Sequence, residues 1–329
     1  MLIPPKYILT PKISELLASI EASRQVIDLV SVPGEVEANI RRKATLRSSL
    51  FSARIEGNSL TLDEFSHAPS RDQKKREVSN NLKGLNWVYK RGVNKDLTTR
   101  QILELHKIVM SGLVDSENLG HFRKEQGAIF NSAGYVVYMS ARPAQINSLM
   151  SHLLNFANGP KERFVPMRAC LAHYTFERIH PFLDGNGRVG RLLLQAILAK
   201  NDYGMKGLLA FEEYLDNHRS EYYSALEVSE KEVSDYLEFM LTALAKTAQD
   251  AKEEILRKQT LDAIDLLLPR RAEILQIIRD HKMVNFDFIK RRFMAVNERT
   301  LRYDLLRLAN DGLIKKRGST KGVYYQPVD

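Results

Sequence analysis

Apolar residues recur at intervals of three and four along most of the chain, from Pro11 to about Lys258. This spacing places them on one face of an α-helix, and few runs alternate with the period of two that is typical of a strand. The clearest exception is residues 127–138, where two apolar, β-prone runs flank Asn131-Ser-Ala-Gly134 and predict a β-hairpin. The pattern therefore predicts a mainly α-helical protein with one small hairpin.

Two polar stretches interrupt the apolar pattern. Residues 67–77 are strongly charged and contain Pro69, which indicates an exposed connection. Residues 246–269 alternate in charge and end at a proline, which is typical of a helix that joins two modules. We accordingly expect four parts: a helical arm at 1–95, a helical core at 96–245, a linker helix at 246–269 and a C-terminal module at 270–329.

The C-terminal module has an apolar pattern of its own. It predicts helices at 271–281, 286–293 and 297–310, the last with Asn297 as a suitable N-cap. Residues 313–325 then predict two short strands around a glycine-bounded turn. Three helices followed by a hairpin resemble a winged helix-turn-helix.

Most of the net charge of the chain belongs to this module. The chain has 49 Lys+Arg against 40 Asp+Glu, a net charge of +9, and residues 270–329 contribute 14 basic and 7 acidic residues, or +7. In a winged helix the third helix would direct Arg299 and Arg302 toward DNA, while Lys316 and Arg317 on the wing would meet phosphates. The same fold also docks proteins, so nucleic-acid contact and protein docking both remain open.

Cysteine content and hydropathy exclude several classes of protein. Cys170 is the only cysteine, which excludes an internal disulfide framework and a four-thiolate zinc site. A lone thiol suits a reducing compartment, so we expect a cytoplasmic protein. No run approaches the roughly 18 apolar residues of a membrane span, and residues 1–10, interrupted by two prolines, lack the pattern of a signal peptide.

The most specific feature of the chain is residues 180–191, His-Pro-Phe-Leu-Asp-Gly-Asn-Gly-Arg-Val-Gly-Arg. They contain a Gly-x-Gly-x-x-Gly pattern, which in dinucleotide-binding folds follows a buried strand. The preceding apolar residues are spaced three and four apart and predict a helix instead, so that interpretation fails. A helix, a tight glycine loop and a second helix form an anion-binding arrangement, because loop amides and a helix N-terminus attract phosphate.

The side chains around this loop suit phosphate chemistry. Arg188 and Arg191 lie three residues apart on one face of the second helix, next to the amides of 185–187. Asp184 offers one hard oxygen ligand of the kind that Mg²⁺ accepts alongside phosphate and water. His180 can act as a general base near neutral pH.

These twelve residues match the Fic family pattern, His-x-Phe-x-Asp/Glu-Gly-Asn-Gly-Arg-x-x-Arg, at all eight fixed positions. Gly120-His-Phe-Arg123 resembles the Gly-x-Phe-Arg segment of the family, and the 127–138 hairpin lies where the family has its target-docking flap. Residues 217–226 look like the segment that approaches the nucleotide base, with Asn217 as the base contact. The resemblance covers about 100–230 and implies a Fic-type helical bundle with a small β-hairpin flap.

Fic proteins transfer a nucleotide monophosphate, usually AMP from ATP, to a protein hydroxyl. The resemblance implies that His180 deprotonates a Ser, Thr or Tyr hydroxyl and that Asp184 holds Mg²⁺. The implied ATP-phosphate ligands are Gly185, Asn186, Gly187, Arg188 and Arg191. It further implies that the substrates are partner proteins and the chain itself, and from the resemblance alone we expect a homodimer.

Ser52-Ala-Arg-Ile-Glu-Gly-Asn58 is similar to the inhibitory helix of the family, Ser/Thr-x-x-x-Glu-Gly/Asn. The resemblance implies an inhibitory segment containing Ser52, Glu56 and Gly57, in which Glu56 pairs with Arg191 and occupies the place of the γ-phosphate. Two alternatives stay open. One is a transcription regulator that senses nucleotide and binds DNA, and the other is removal of AMP or transfer of another phosphate-containing group.

Overall fold

The computed structural model describes residues 1–69, 71–91, 96–130, 136–259, 267–318 and 322–328. Most of these residues are helical and few are in strands, which confirms the mainly α prediction. The chain divides into two compact units. The first comprises Met1–Leu29 and Arg41–Lys252, and the second comprises Val30–Ile40 and Glu253–Asp329.

Eleven α-helices lie wholly or, for the second and the last of them, partly in the described part of the first unit. In chain order they are α1 Pro11–Leu29, α2 Gly34–Ile55, α3 Leu62–His67, α4 Gln73–Arg91, α5 Thr99–Met110, α6 Pro143–Asn158, α7 Val165–Ile179, α8 Asn186–Lys200, α9 Phe211–Asn217, α10 Arg219–Glu227 and α11 Ser234–Gln259. Capping boxes begin α3 at Thr61 and α5 at Thr98, because each side chain satisfies an amide that the helix leaves unpaired. No helix among the described residues is both long and apolar enough to cross a membrane.

Helices α7 and α8 form the centre of this unit. Nearly every residue of both helices is buried, and they pack against each other, with α4, α5 and α6 around them. Helices that are apolar on all sides lie inside a protein rather than on its surface. The loop 180–185 that joins them is therefore held from both ends by the rigid core.

The predicted hairpin is present. Strand β1, Ala128–Phe130, pairs antiparallel with β2, Val136–Met139, and Ala128 lies opposite Met139. The turn at 131–134 lies outside the described residues. Ser140, which follows β2, donates hydrogen bonds to the Gly127 carbonyl from both its amide and its hydroxyl, so the hairpin is closed at its base.

Two predicted boundaries differ from the structure. The stretch 67–77 is helical at both ends, since α3 runs to His67 and α4 already begins at Gln73. Polar residues of α4 face the protein because they bind backbone carbonyls; for example, the Asn80 amide donates to Val109 and Ser111. The charged helix expected at 246–269 begins earlier, as α11 at Ser234, and residues 260–266 lie outside the described range.

The second unit contains the three helices and the strands expected at the C-terminus. They are α12 Pro269–His281, β3 Val284–Asn285, α13 Phe286–Arg292, α14 Glu298–Asn310, β4 Ile314–Arg317 and β5 Tyr324–Pro327. The strands form an antiparallel sheet in the order β3-β5-β4. Asn297 caps α14 as predicted, because its side-chain oxygen accepts from the Arg299 amide. Leu275, Leu301 and Leu305 lie in the buried core between these elements.

Candidate active site

The loop between α7 and α8 begins and ends with a left-handed residue. His180 has φ 51° and donates its amide to the Phe176 carbonyl at 2.9 Å, which ends α7. Gly185 has φ 82° and begins α8. A Cβ on Gly185 would lie 2.5 Å from the Met110 sulfur, so both the conformation and the space require glycine.

Phe182 and Asn186 hold the middle of the loop. The Phe182 side chain is fully buried. The Asn186 side-chain amide donates to the Phe182 carbonyl, and its oxygen accepts from the Phe182 amide, both at 2.9 Å. The Asn186 side chain thus shapes the loop, while its backbone amide lies in the first turn of α8, where helix amides lack intrahelical acceptors.

His180 lies in an environment that suits a proton acceptor. Burial lowers the pKa of its imidazole, because a low-dielectric site disfavours the charged form. Its Nδ1 has no hydrogen-bond partner among the described residues. The Arg123 guanidinium donates from Nε to the His180 carbonyl at 2.7 Å and from Nη2 to the Ala141 carbonyl after β2, so it ties the loop to the hairpin.

Asp184 is an exposed carboxylate at the mouth of the loop, with 59% of its side chain accessible. Its Oδ1 accepts from the Gly185 amide at 2.5 Å and from Arg188 Nη2 at 3.2 Å. The described residues contain no group of three His, Cys, Asp or Glu side chains that could hold a metal ion. This donor set fits Mg²⁺, which commonly takes one or two carboxylates and completes its shell with phosphate and water.

The contact predicted between Glu56 and Arg191 is present. Arg191 Nη2 donates to Glu56 Oε1 at 2.8 Å and to the Ser52 carbonyl at 2.9 Å, and Nε donates to the Ser52 hydroxyl at 3.0 Å. Burial, the largest single influence, lowers the pKa of Arg191, but the Glu56 carboxylate together with other nearby groups outweighs burial and raises it. A Cβ on Gly187 would lie 2.3 Å from Glu56 Oε1, so the glycine admits the carboxylate.

Arg188 has a carboxylate partner that the sequence did not reveal. It is buried, and its Nη1 donates to Glu77 Oε1 at 2.7 Å. The other oxygen of Glu77 accepts from the side-chain amide of Asn58 at 2.8 Å. Glu77 belongs to the stretch interpreted as an exposed connection. A sequence signal was present: Glu77 and Gly84 lie seven residues apart and so share one face of a helix. The structure shows that this face packs on α8, since a Cβ on Gly84 would lie 2.8 Å from Leu192.

A buried polar network lies beneath the two arginines. His173 is fully buried and contacts the Tyr236 hydroxyl through Nδ1 at 2.8 Å. Its Nε2 lies 3.7 Å from Glu177 Oε1, which has no hydrogen-bond partner among the described residues. Burial raises the pKa of Glu177 to about 8, although the Arg191 charge opposes this shift.

The remaining predicted residues lie apart from this loop network. Asn217 is exposed at the end of α9. Its neighbours bind α2 instead: Arg219 donates to the Arg54 carbonyl, and the Tyr223 hydroxyl donates to the Ile55 carbonyl at 3.1 Å. In the second unit the four expected nucleic-acid contacts, Arg299, Arg302, Lys316 and Arg317, are all exposed.

Comparison with protein families finds the Fic/DOC family at residues 96–198. Among curated proteins, the chain is 28% identical over 242 residues to protein adenylyltransferase Fic of Aedes aegypti, covering 69% of this chain and 46% of that protein. The Drosophila melanogaster protein of the same name is 28% identical over 243 residues, covering 70% and 47%. The chain therefore spans about half the length of these relatives.

Solved structures share the fold. A Fic family protein from Desulfovibrio desulfuricans G20 is 25% identical, with a TM-score of 0.68 and 98% of each chain covered. The fragment of Fic-1 from C. elegans comprising residues 134–508 is 22% identical, with a TM-score of 0.58, and the match covers 74% of this chain and 72% of that one. The expected Fic-type bundle is thus confirmed as the fold.

Proposed function

Because residues 96–198 form a Fic domain, we propose that this protein is an adenylyltransferase that transfers AMP from ATP to a Ser, Thr or Tyr hydroxyl of a protein, itself included. The observation that carries the proposal is the complete loop 180–191, in which a partly buried histidine and two buried arginines surround a glycine turn. The relatives named protein adenylyltransferase support the same reaction.

In the proposed reaction His180 accepts the proton of the attacking hydroxyl. The hydroxyl oxygen forms a bond to the α-phosphorus of ATP, the bond from this phosphorus to the bridging oxygen breaks, and pyrophosphate leaves. The lowered pKa of His180 supports this role, because the ring is then neutral and able to take a proton at pH 7. Backbone amides of 185–187 and the guanidiniums of Arg188 and Arg191 would bind the phosphates, and Asn217 would contact the base.

Mg²⁺ is the metal that we propose for this site. Asp184 would hold it, since its carboxylate is exposed beside the loop amides. When bound, the ion would neutralise phosphate charge. The chain itself would contribute the orientation of Asp184, which accepts from the Gly185 amide and from Arg188.

We further propose that the described conformation is autoinhibited. Glu56 pairs with the guanidinium of Arg191 that the γ-phosphate would otherwise bind, and Ser52 holds the same side chain. Gly57 follows with φ 98°, a conformation that favours glycine and turns the chain directly after Glu56. Arg191 is buried, whereas the Glu56 side chain is 30% exposed, so truncating Glu56 should cost about 2 kcal/mol, the low end of the range for buried charge pairs.

Intact-mass spectrometry after incubation with ATP and Mg²⁺ tests both proposals. Glu56→Gly should gain an AMP-sized increment about 30-fold faster than the unsubstituted chain, because about 2 kcal/mol of inhibitory pairing is removed. Glu56→Gly/His180→Ala should gain none. Peptide mapping then identifies the modified hydroxyl.

Four other outcomes would contradict parts of the proposal. Equal labelling of the unsubstituted chain and Glu56→Gly would remove the inhibitory role of Glu56. No increment in any sample, with cell lysate added as substrate, would favour a nucleotide-sensing regulator. Loss of AMP from a pre-modified substrate without forward transfer would favour the reverse reaction, and a different mass increment would indicate transfer of another phosphate-containing group.

A second function is proposed for the C-terminal module. We infer that 270–329 forms a winged helix that binds DNA, because its +7 charge is accompanied by exposed arginines and lysines on α14 and β4. The division into arm, core, linker and module stays part of this proposal, as does the homodimer. The lone and buried Cys170 suits a reducing compartment, so we propose a cytoplasmic location.

A further inference from the structure

His106 on α5 is a buried histidine that the proposed reaction does not use. It is 1% exposed, and its ring stacks on Phe182 with centroids 3.9 Å apart and planes 12° apart. Nδ1 accepts from the Gly120 amide at 2.8 Å, and Nε2 lies 3.1 Å from the carbonyl oxygen of Asp184. The His106 side chain therefore contacts the Gly120 amide and both ends of the segment 182–184.

The two hydrogen bonds determine which ring nitrogen carries the proton. A backbone amide can only donate, so Nδ1 of His106 must be the unprotonated acceptor of the Gly120 amide. A carbonyl oxygen can only accept, so Nε2 must carry the hydrogen that points at Asp184. The partners thus select the neutral ring protonated at Nε2.

The bond to Asp184 determines the orientation of a peptide plane. The only cis peptide bond recorded for the described residues is Ile3-Pro4, so the bond from Asp184 to Gly185 is trans. In a trans peptide the carbonyl and the next amide point in opposite directions. With its carbonyl held toward His106, the plane directs the Gly185 amide away from α5, to the side where it meets the Asp184 carboxylate at 2.5 Å.

We propose that His106 is a positioning residue for AMP transfer: its Nε2 hydrogen holds the peptide plane between Asp184 and Gly185, and the Gly185 amide on the other side of this plane holds the Asp184 carboxylate in place for Mg²⁺ and the ATP phosphates. This inference rests on the proposed function, because the oriented groups are those assigned to phosphate and Mg²⁺. Helix α5 thereby contributes to the site without touching the substrate.

Three substitutions at two positions separate hydrogen bonding from packing. His106→Phe keeps a flat ring against Phe182 but loses both hydrogen bonds, and His106→Gln restores a donor near the position of Nε2. Met110→Leu is the matched control, because Met110 is equally buried on α5 and packs against Gly185 without a polar bond. All three are made in the Glu56→Gly background, and thermal unfolding confirms that each variant folds.

We expect His106→Phe to lower kcat/KM for ATP about 10- to 100-fold, as for other small misplacements of catalytic groups. His106→Gln should recover most of this loss, and Met110→Leu should remain within about threefold of its parent. If His106→Phe transfers AMP normally, or if Gln is no better than Phe in a folded variant, the positioning role is wrong.

Two measurements do not depend on transfer. Long-range ¹H–¹⁵N spectra of the unsubstituted chain should show His106 protonated at Nε2 only, and protonation at Nδ1 would overturn the inference. Calorimetry with ATP and Mg²⁺ on Glu56→Gly/His180→Ala should show binding about tenfold weaker once His106→Phe is added. If calorimetry detects ATP binding but Glu56→Gly never transfers AMP, the proposed reaction is wrong, and the positioning role is still tested by the effect of His106→Phe on binding. If no ATP binding is detected without His106→Phe, both the proposed reaction and the positioning role are wrong.

Discussion

Glu177 lies on α7, three residues before His180, and is buried in the core of the first unit. Its Oε1 has no hydrogen-bond partner among the residues that the structure describes, and a Cβ on Gly190 would lie 2.1 Å from it. A carboxylate in such a site is costly unless it is paired. Burial accordingly raises the pKa of Glu177 to about 8, so the group is mostly protonated at neutral pH.

This pKa makes the stability of the protein depend on pH. Between about pH 4.5 and pH 8 the unfolded chain has an ionised Glu177 while the folded chain keeps it protonated, so the folded state binds more protons. The free energy of unfolding should therefore fall as pH rises through this window, by at most about 1.4 kcal/mol per pH unit. Glu177→Gln should remove this dependence, so the free energy of unfolding of the variant should not fall between pH 5 and pH 8 as that of the parent does.

Urea unfolding at pH 5 and pH 8 measures the effect of Glu177→Gln. Glu227→Gln is the control, because Glu227 is exposed at the end of α10 and its substitution should leave the pH dependence unchanged. If Glu177→Gln and its parent lose stability equally between the two pH values, Glu177 is ionised in the folded protein and the argument above is wrong.

At the residue scale the sequence predicted local arrangements better than distant ones. The loop 180–191 could be interpreted because its chemistry depends on spacing within one short segment, and the Glu56–Arg191 contact came from a second short motif. Glu77 and His106 were not assigned, since their roles depend on which helices pack against α8 and the loop. Their polar side chains give the same sequence signal whether they face water or a buried partner.

Helix α2 is held at its C-terminal end by residues of the segment 216–226. The Tyr223 hydroxyl donates to the Ile55 carbonyl at 3.1 Å, and Arg219 donates to the Arg54 carbonyl. Asp216, with a side chain only 3% exposed, pairs with Arg54 at 3.0 Å. These partners satisfy carbonyls that a helix end leaves unpaired, and they hold Glu56 beside Arg191.

Tyr223→Phe should therefore loosen the inhibitory helix without changing the active-site loop. One hydrogen bond is worth about 1 kcal/mol, so we expect basal self-labelling with ATP and Mg²⁺ to rise up to about fivefold. In the Glu56→Gly background the same substitution should have no effect, because the inhibitory carboxylate is already absent. An equal change in both backgrounds would show that Tyr223 acts on ATP or on the substrate instead.

At the element scale the sequence pattern predicted the mainly helical character, the helices that flank the loop 180–185, the three C-terminal helices, the hairpin and the Asn297 cap. This pattern missed the start of α4, because the first residues of that helix are mostly charged and form no apolar stripe. It also began α11 too late, since the charge pattern covers only its second half. Both errors arise where polar side chains dominate a helix, because periodicity then has few apolar positions to report.

At the scale of the whole molecule the chain combines a unit whose residues 96–198 match the Fic/DOC family with a second, basic unit. The second unit has its own core, and its buried Asp304 accepts from Arg270 at 2.6 Å and from Arg271 at 2.8 Å. Arg271 also pairs with Glu35 of the same unit, so both cations are engaged by carboxylates inside the unit. Arg302 is partly engaged as well, because its guanidinium lies 3.8 Å from the centroid of the Phe286 ring. Arg299 and Lys316 are exposed and are the better test of binding to phosphates.

Fluorescence anisotropy with a labelled DNA duplex measures this binding as a function of salt. If the C-terminal module binds DNA, log K should fall linearly with log salt concentration, and Arg299→Ala and Lys316→Ala should each lower the magnitude of this slope by about 0.9, the value for one lost phosphate contact. Lys161→Ala, an exposed lysine of the first unit, should leave the slope unchanged. Salt-independent binding, or no binding by a chain that still transfers AMP, would favour a protein partner for this unit.

Arg299→Ala and Lys316→Ala, made in the Glu56→Gly background, should transfer AMP at the same rate as Glu56→Gly alone, because neither residue has a part in the proposed chemistry at His180. A parallel loss of transfer would show that nucleic acid is required for the reaction itself.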